Sequence, residues 1–548
     1  MPRILPLAAL LGLPASSPME LSIVPTPRAS VVLVYPKLHE HQFPIWAPLD
    51  LYAIATALLH RGYTVHLIDE RLGPSELEEL ERVLPGALFV GVGAKFGGQL
   101  GNALAMVQRI KRVRPDARVV IGGWLPSLFP ETLFESPLVD GVVIGPGDES
   151  TPELADRWLA GRSVEGVAGV WARENGAIVR NPFVHLPDIR RTTPIPWETM
   201  GMTRYQLPNG WTNLFTSRGC PGECTFCSIY CLDPRRWTAL PAERVVADIE
   251  RLLGLGFRAI RIMDTDFCAD ARRVEAICRS ILERRLDVRW EVLARHWNLR
   301  AMSDEQVRLL RRAGCTEIEM GVETGSQRLS DMVRKKLDVT EVPATVTRFV
   351  RHGIRMNLNF MFGLPTETRA DLRATLRLID ELTRLGPDAV RLQMFRYTPV
   401  PGGSKAEDDV WKQRPGGSAE LSLQELIEFP VVETEPQRLW WVTPEHERDV
   451  RRCYYFYAPL AYIPAVQEPA RSRPVWSRVL RLLRPLARLR CRHAFFALPF
   501  EHALNRRFGY PFQHGSEDGV GPPSDVLPEP VMGDRIESRP PLAPSVAT

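Results

Sequence analysis

The run Arg218-Gly-Cys-Pro-Gly-Glu-Cys-Thr-Phe-Cys-Ser228 places Cys220, Cys224 and Cys227 in the spacing C-x3-C-x2-C. Structural zinc sites close with four protein ligands, and ordinary electron-transfer iron–sulfur clusters are also held by four cysteines. The sequence shows no evident fourth partner beside this triad. The spacing therefore indicates a metal cluster with one coordination position left for a substrate or a cofactor.

Two simpler interpretations of the triad are three unrelated buried thiols and part of a zinc knuckle. The preceding residues argue against both, because Trp211 to Ser217 predicts a short strand that ends just before the cysteines. The triad would then occupy a loop at the carboxyl end of a strand, where α/β barrels place their chemistry. Cys231 is a nearby rival ligand, but its spacing does not fit the motif and we interpret it as a non-ligand.

The triad closely resembles the cysteine motif of the radical S-adenosylmethionine (SAM) superfamily. The resemblance implies that Cys220, Cys224 and Cys227 bind a 4Fe-4S cluster, and that the amino and carboxylate groups of SAM take its fourth iron. It also implies that Phe226, between two of these ligands, lies beside the adenine of SAM.

The composition is that of an ordinary globular protein, with 548 residues, 45% hydrophobic residues and 24% charged residues. This length predicts two or three domains, and a net charge of +4 is too small to imply nucleic acid. Nine cysteines, none of them before Cys220, do not resemble a disulfide framework. The first residues imitate a signal peptide, but a protein that needs a reduced cluster favours the cytoplasm, so we expect a disordered leader there.

The amino-terminal part predicts a doubly wound parallel sheet, because buried strands such as Ser30 to Tyr35 and Thr64 to Asp69 alternate with helices. Glycines stand at the predicted carboxyl ends of two further strands. Ligands bind such sheets beyond these ends, and a glycine lets the backbone approach a ligand closely. The candidate binding residues are therefore Gly122, Gly123, Gly145 and Gly147.

This unit resembles the Rossmann-like cobalamin-binding domain that precedes many radical SAM domains, although Gly145-Pro-Gly-Asp-Glu149 departs from its usual G-E-G-E. The usual lower-ligand motif D-x-H-x-x-G is absent after the first strand. His39 and His41 lie in that loop without the accompanying residues, so we expect cobalamin to bind without a histidine ligand. Arg71 is the candidate to approach the lower face of the corrin instead.

Six strands separated by helices follow a proline-rich linker and match the partial (β/α)6 barrel, of the TIM type, that the superfamily uses. The chain thus combines α/β domains with a mainly helical carboxyl-terminal region. We expect a leader at 1–28, a cobalamin-binding domain at 29–175, a linker at 176–205, a radical SAM domain at 206–410, a helical region at 411–515 and a disordered tail at 516–548.

Several segments at the rim of the predicted barrel resemble cofactor-binding segments of the superfamily. Asp264 would bind ribose hydroxyls or cap the next helix, and Glu323 would contact the cofactor. Lys335 or Lys336 would meet the SAM carboxylate, unless both are surface lysines. Gly363 and Pro365 open a Gly-Leu-Pro-Thr-Glu-Thr run, and a Tyr-Thr-Pro-Val-Pro-Gly-Gly turn begins at residue 397.

Aromatic pairs and a basic helix mark the carboxyl-terminal region. Trp440-Trp441 and Tyr454 to Tyr457 would cover the barrel mouth or pack in the core. The stretch 471–489 predicts a helix with Trp476, Val479, Leu480, Leu483 and Leu486 on one face and arginines elsewhere. Such a helix would either lie on an anionic membrane or pack on the barrel.

The combined resemblance implies a cobalamin-dependent radical SAM enzyme that uses a 4Fe-4S cluster, SAM and cobalamin. We expect a C-methyltransferase that acts on an unactivated carbon of a natural-product, lipid or tetrapyrrole substrate, with flavodoxin or ferredoxin as electron donor. Radical cyclisation, rearrangement or oxidation with the same cofactors is the alternative. A noncatalytic cobalamin or cluster sensor is an alternative of another class. A methylthiotransferase is disfavoured, because the amino-terminal domain contains no cysteine.

Overall fold

The structure is a computed structural model. It describes residues 28–37, 45–95, 98–183, 186–205, 207, 210–227, 229, 235–400, 402, 404–415, 421–429, 439–463 and 474–503. The predicted leader up to residue 27, the predicted tail, His39, His41 and Cys231 lie outside these residues. The predicted domain boundaries stay predictions.

The amino-terminal sheet has seven strands in the order β2-β1-β3-β4-β5-β6-β7, and the first five are parallel. The strands β6 and β7 add an antiparallel edge, so the sheet extends into the stretch predicted as a linker. Their bounds are β1 Ser30–Tyr35, β2 Thr64–Asp69, β3 Ala87–Gly93, β4 Val119–Gly122, β5 Gly141–Val143, β6 Val170–Glu174 and β7 Ala177–Val179.

Helices cover both faces of this sheet, as the predicted doubly wound fold requires. The strand β1 shows why: Val31 and Leu33 belong to one hydrophobic core, whereas Val32 and Val34 belong to another. Successive side chains of a strand point to opposite faces, so a strand that is apolar throughout needs cover on both sides. The helices are α1 Leu49–His60, α2 Pro74–Val83, α3 Gly98–Val113, α4 Trp124–Leu128, α5 Pro130–Leu133 and α6 Gly147–Leu159.

The second sheet consists of six parallel strands in the order β15-β14-β13-β12-β11-β8, which confirms the predicted partial barrel. Its strands are β8 Trp211–Leu214, β11 Ala259–Ile262, β12 Arg289–Leu293, β13 Cys315–Glu323, β14 Arg355–Phe362 and β15 Val390–Arg396. A small antiparallel pair, β9 Ser217–Gly219 and β10 Trp237–Ala239, flanks the cysteine loop.

Helices connect the barrel strands and continue into the carboxyl-terminal region. The barrel helices are α7 Ala242–Gly254, α8 Ala271–Glu283, α9 His296–Ala301, α10 Asp304–Arg312, α11 Gln327–Met332, α12 Val342–Arg351 and α13 Arg369–Leu382. The later helices are α14 Lys405–Lys412, α15 Leu423–Ile427, α16 Pro444–Arg452, a π-helix Cys453–Tyr457, α17 Ala458–Tyr462 and α18 Pro474–His493.

The carboxyl-terminal region packs on both domains. Trp411, Leu426 and Phe429 join the hydrophobic core of the amino-terminal sheet, while α18 packs on α13 and α17 of the barrel side. The side chains of Tyr454 to Tyr457 are buried, so this aromatic run serves core packing. No helix among the described residues is long and apolar enough to span a membrane.

Polar contacts also fix the two sheets relative to each other. The side-chain amide of Asn213, on β8, accepts a hydrogen bond from the backbone N–H of Ala47 at 3.2 Å and donates one to its carbonyl at 2.9 Å. The Tyr205 hydroxyl donates to Asp69, at the end of β2, at 2.8 Å. Buried polar groups that are paired across an interface make its geometry specific.

We expect Gly123→Ala to destabilise the amino-terminal sheet. Gly123 has a φ of +121°, and an added Cβ would overlap the carbonyl oxygen of Ala94 on the neighbouring strand end. A loss of ~1–3 kcal/mol in the free energy of unfolding is expected from such strain. Urea unfolding measures it. Gly254→Ala, where nothing lies within 4 Å of the added Cβ, is the control. Equal stability of the two variants would contradict the predicted close approach.

Candidate functional site

The cysteine loop lies beyond the carboxyl end of β8, as predicted. Cys224 is buried, Cys220 and Cys227 are half-buried, and none of the three forms a disulfide bond with another described residue. The loop is held to the barrel by its backbone, because the N–H of Thr225 donates to the carbonyl of Val333 at 3.0 Å. The hydroxyl of Ser404, which follows the last barrel strand, donates to the carbonyl of Thr225.

One arginine contacts two of the three thiols. Nη1 of Arg295 lies 3.4 Å from Sγ of Cys224 and 3.8 Å from Sγ of Cys220, and Nη2 donates to the carbonyl of Lys335 at 3.0 Å. A Cβ at Gly222 would overlap this guanidinium, so a larger residue there would displace Arg295 from its present position. A neighbouring cation favours the thiolate form that binds metals. The sequence analysis missed Arg295, although it follows β12 at the same edge of the barrel.

Lys335 and Glu323 form a buried ion pair next to the cysteine loop. Nζ of Lys335 donates to Oε1 of Glu323 at 2.6 Å and lies 5.8 Å from the centre of the Phe226 ring. Burial alone would lower the pKa of Lys335, but the charges of Glu323 and Cys224 raise it above its ordinary value. The structure thus brings together three of the predicted site residues, Phe226, Glu323 and Lys335.

Lys336 lies elsewhere. It is exposed, and its Nζ donates to Glu223 of the cysteine loop at 2.9 Å. The expectation that both lysines are surface residues therefore fails for Lys335 and describes Lys336.

Asp264 supports the cysteine loop from below. Its carboxylate is fully buried and accepts hydrogen bonds from the N–H and hydroxyl groups of Thr216 and Ser217, at 2.5 to 2.9 Å. Burial raises the pKa of Asp264 even though these hydrogen bonds oppose the shift. The next helix is capped by Asp270 instead, so the alternative of helix capping by Asp264 is wrong. Ribose binding by Asp264 stays a prediction.

The loop that begins at Gly363 closes against the carboxyl-terminal region. The Glu367 carboxylate accepts hydrogen bonds from the N–H groups of Gly363 and Leu364, and Nε1 of Trp441 donates to the Gly363 carbonyl at 2.7 Å. Leu364, Phe226 and Trp441 share one apolar cluster, while Pro365 is half-buried beside them. Trp441 therefore packs on the loop that follows the fifth barrel strand, and its expected covering of the barrel mouth stays a prediction.

The glycine-rich strand ends of the amino-terminal sheet form one continuous edge. The hydroxyl of Ser127 donates to the carbonyl of Gly123 at 2.7 Å and accepts from the N–H of Gly145 at 2.8 Å. Gly122 ends β4, and Gly147 begins α6. This edge is the place where parallel sheets bind ligands. A Cβ at Gly123 or Gly147 would overlap Ala94 or Ile54, so these two glycines allow close packing of the edge itself, and their contact with cobalamin stays a prediction.

Arg71 lies at the same end of the sheet but is engaged by neighbours. Its guanidinium forms a buried ion pair with Asp69, donates to the carbonyl of Trp46 at 2.9 Å and stacks 4.1 Å from the Tyr35 ring centre. Contact between Arg71 and the corrin stays a prediction.

A salt bridge joins the glycine-rich edge to the cysteine loop. Nη1 of Arg218, two residues before Cys220, donates to Asp148, which directly follows Gly147. Both side chains are largely buried, with 21% and 10% exposed. Both residues lie in motifs of the sequence, the cysteine run and the run Gly145 to Glu149. Their pairing was not predicted, because charge complementarity between distant segments has no sequence pattern.

The donor set fits an iron–sulfur cluster better than a single metal ion. The described residues contain no group of three His, Cys, Asp or Glu side chains that is arranged to hold one ion. Three separate thiols on a loop, two of them beside a cation, suit a cluster whose ligands bind different irons. This geometry disfavours the zinc-knuckle alternative.

A cavity of about 200 Å³ lies between α1, α6 and the segment around Trp197. Its wall includes Asp148 and Arg218, so it adjoins the salt bridge, and Arg61, Arg191 and Arg244 add positive charge. The sequence analysis did not predict this cavity.

Two family models match the chain, one over the amino-terminal sheet and one over the barrel. Residues 43–155 match the B12 binding domain, and residues 214–379 match the radical SAM superfamily. The chain therefore contains a B12 binding domain and a domain of the radical SAM superfamily, and the cofactors of these domains are cobalamin, a 4Fe-4S cluster and SAM.

Similar proteins agree with this assignment. An uncharacterized methyltransferase of Pyrococcus horikoshii is 28% identical over 363 residues, which cover 65% of this chain and 76% of the relative. An anaerobic magnesium-protoporphyrin IX monomethyl ester cyclase of Rubrivivax gelatinosus is 27% identical over 398 residues, 68% of each chain. The structure of OxsB, a cobalamin-dependent SAM radical enzyme, shares the fold with a TM-score of 0.66 at 17% identity over 87% of this chain and 75% of that one.

We expect Cys224→Ala to abolish cluster assembly and to leave cobalamin binding by the amino-terminal sheet intact. Iron and sulfide content after anaerobic reconstitution, together with the visible spectrum of bound corrin, measures both effects. Cys278→Ala, a buried free cysteine on α8, is the matched control and should retain the cluster. Full iron content in the Cys224 variant would count against the ligand assignment.

We expect Arg295→Met to lower the reduction potential of the cluster by tens of millivolts, because a nearby cation favours the more reduced, more negative state. Arg295→Lys keeps the charge and should stay near the wild-type potential. A redox titration followed by electron paramagnetic resonance measures the potential. If the methionine variant matches the wild type, Arg295 does not act on the cluster through its charge.

Proposed function

We propose that the protein is a C-methyltransferase that acts on an unactivated carbon of a natural-product, lipid or tetrapyrrole substrate. The carrying observation is the salt bridge between Arg218 and Asp148, which ties the cysteine loop to the glycine-rich edge. Methyl transfer needs the radical-generating and methyl-carrying cofactors at one shared space. The similarity to the methyltransferase of Pyrococcus horikoshii supports this reaction class.

The bound cofactors supply an adenosyl radical and a transferable methyl group, and the protein positions the reactants and excludes water. Arg295 holds two of the cysteines in place and compensates their charge. The Lys335–Glu323 pair offers a buried ammonium and a carboxylate for the polar groups of SAM. Phe226, Leu364 and Trp441 form an apolar wall that excludes water from a reactive radical.

The relatives and the wall of the site support the proposed substrate class. The cyclase of Rubrivivax gelatinosus is named for a magnesium-protoporphyrin ester, a large apolar ring system. Aromatic cover by Trp441 beside Tyr397, with ring centres 5.6 Å apart, suits a flat or apolar substrate. A small electron-transfer protein of the flavodoxin or ferredoxin type would deliver the electron that starts the reaction.

Radical cyclisation with the same cofactors is the second candidate, and the similarity to the cyclase is the observation that favours it. Product mass separates the two reactions, because methyl transfer adds one methylene to the substrate and cyclisation adds no carbon.

We expect reconstituted protein to transfer a labelled methyl group from SAM to a small molecule of a cell extract and to release 5′-deoxyadenosine. The assay combines the anaerobically reconstituted protein, cobalamin, a reductant and methyl-labelled SAM, and mass spectrometry finds the product. The Cys224→Ala protein is the control and should yield neither product.

The two readouts distinguish the candidate functions. Release of 5′-deoxyadenosine together with an unlabelled product that has gained no carbon would favour radical cyclisation over methyl transfer. Absence of 5′-deoxyadenosine with every extract tested would contradict radical chemistry altogether.

A further inference from the structure

Exposed apolar side chains are concentrated in one segment near the end of the described chain. Eleven large hydrophobic side chains are exposed among the described residues, and five of them lie between positions 482 and 500. We call these five the C-terminal apolar surface: Leu482, Leu489, Phe495, Leu498 and Phe500. Leu482 and Leu498 are the most exposed, at 80% and 79%. Soluble proteins seldom expose so many large apolar side chains close together, so this surface indicates an interaction site.

This surface is not the face that the sequence pattern suggested. Leu480 is buried, and Val479, Leu483 and Leu486 are half-buried where α18 packs on the barrel side, while the side chain of Trp476 lies outside the described residues. The interpretation that this face packs on the protein is therefore confirmed, and membrane contact through the stretch 471–489 stays a prediction. Leu482 and Leu489, seven residues apart, lie on one side of the helix, at the exposed edge of this packed face.

The charge of this segment has a single sign. Residues 474–500 contain six arginines and no aspartate or glutamate. Four of them are used internally, Arg484 by the carbonyl of Ala461, Arg488 and Arg492 by Asp380, and Arg490 by Glu501. Arg478 and Arg481 are exposed on the same side of α18 as Leu482. An apolar surface flanked by arginines complements a surface that is apolar inside and anionic outside.

We propose that the C-terminal apolar surface binds the face of an anionic lipid bilayer, with the leucine and phenylalanine side chains inserted and the arginines at the headgroups. A second copy of the chain fits less well, because a symmetric contact would bring the arginines of both copies together. Membrane contact of this kind is peripheral, and it is independent of the reaction that the site catalyses.

The test is co-sedimentation of the full-length, reconstituted protein with vesicles. We expect binding to vesicles that contain phosphatidylglycerol, weaker binding to pure phosphatidylcholine, and loss of binding as salt is raised. The triple variant Leu482→Ser, Leu498→Ser, Phe500→Ser should bind at least about tenfold more weakly, because it removes inserted apolar area. Leu59→Ser, Val113→Ser, Leu159→Ser, three exposed apolar residues elsewhere, should bind like the wild type.

Three results would overturn the proposal. They are no binding of wild type to the anionic vesicles, equal binding by both triple variants, and a concentration-dependent dimer that only the first triple variant loses. The last result would assign the surface to a contact between copies. Unchanged circular dichroism and cobalamin content of both variants show that any loss of binding comes from the surface and not from misfolding, and they leave the proposed methyl transfer untouched.

Discussion

The salt bridge between Arg218 and Asp148 is the interaction on which the arrangement of the site depends. It connects the residue just before the cysteine loop with the first turn of α6, which starts at the glycine-rich edge. Removing one partner of a buried pair leaves an uncompensated charge and costs roughly 3–5 kcal/mol. The pair therefore favours one relative placement of the two domains. Asn213 and Tyr205 add uncharged contacts across the same interface.

Positive side chains around the three thiols balance the negative charge that these ligands carry when they bind a cluster. Three thiolates on one loop repel each other, and Arg295 and Lys335 bring two cations to this loop. Lys335 is balanced in turn by Glu323, so these two charges are buried as a pair. Beneath it, Asp264 satisfies four donors of Thr216 and Ser217 and fixes the strand end that carries the loop.

The sequence predicted the sheets and the cysteines, because both depend on local patterns. Buried runs such as Ser30–Tyr35 identify strands, and the triad is contiguous. Arg295 and Asp148 escaped prediction because each meets the cysteine loop across about 70 residues of chain, and no periodicity links them. The role of Asp264 and the exposed face of α18 could not be predicted, because both depend on three-dimensional packing. The sequence pattern of α18 is the same whether its apolar face packs on the protein or contacts a membrane.

The central claim is that three thiols hold the cluster and leave one iron for SAM. Mössbauer spectroscopy of the anaerobically reconstituted protein, with and without SAM, tests it directly. If SAM binds that iron, one iron site of the cluster changes its isomer shift when SAM is added while the others keep theirs. A cluster whose iron sites are all unaffected by SAM would contradict an iron left open by the three thiols.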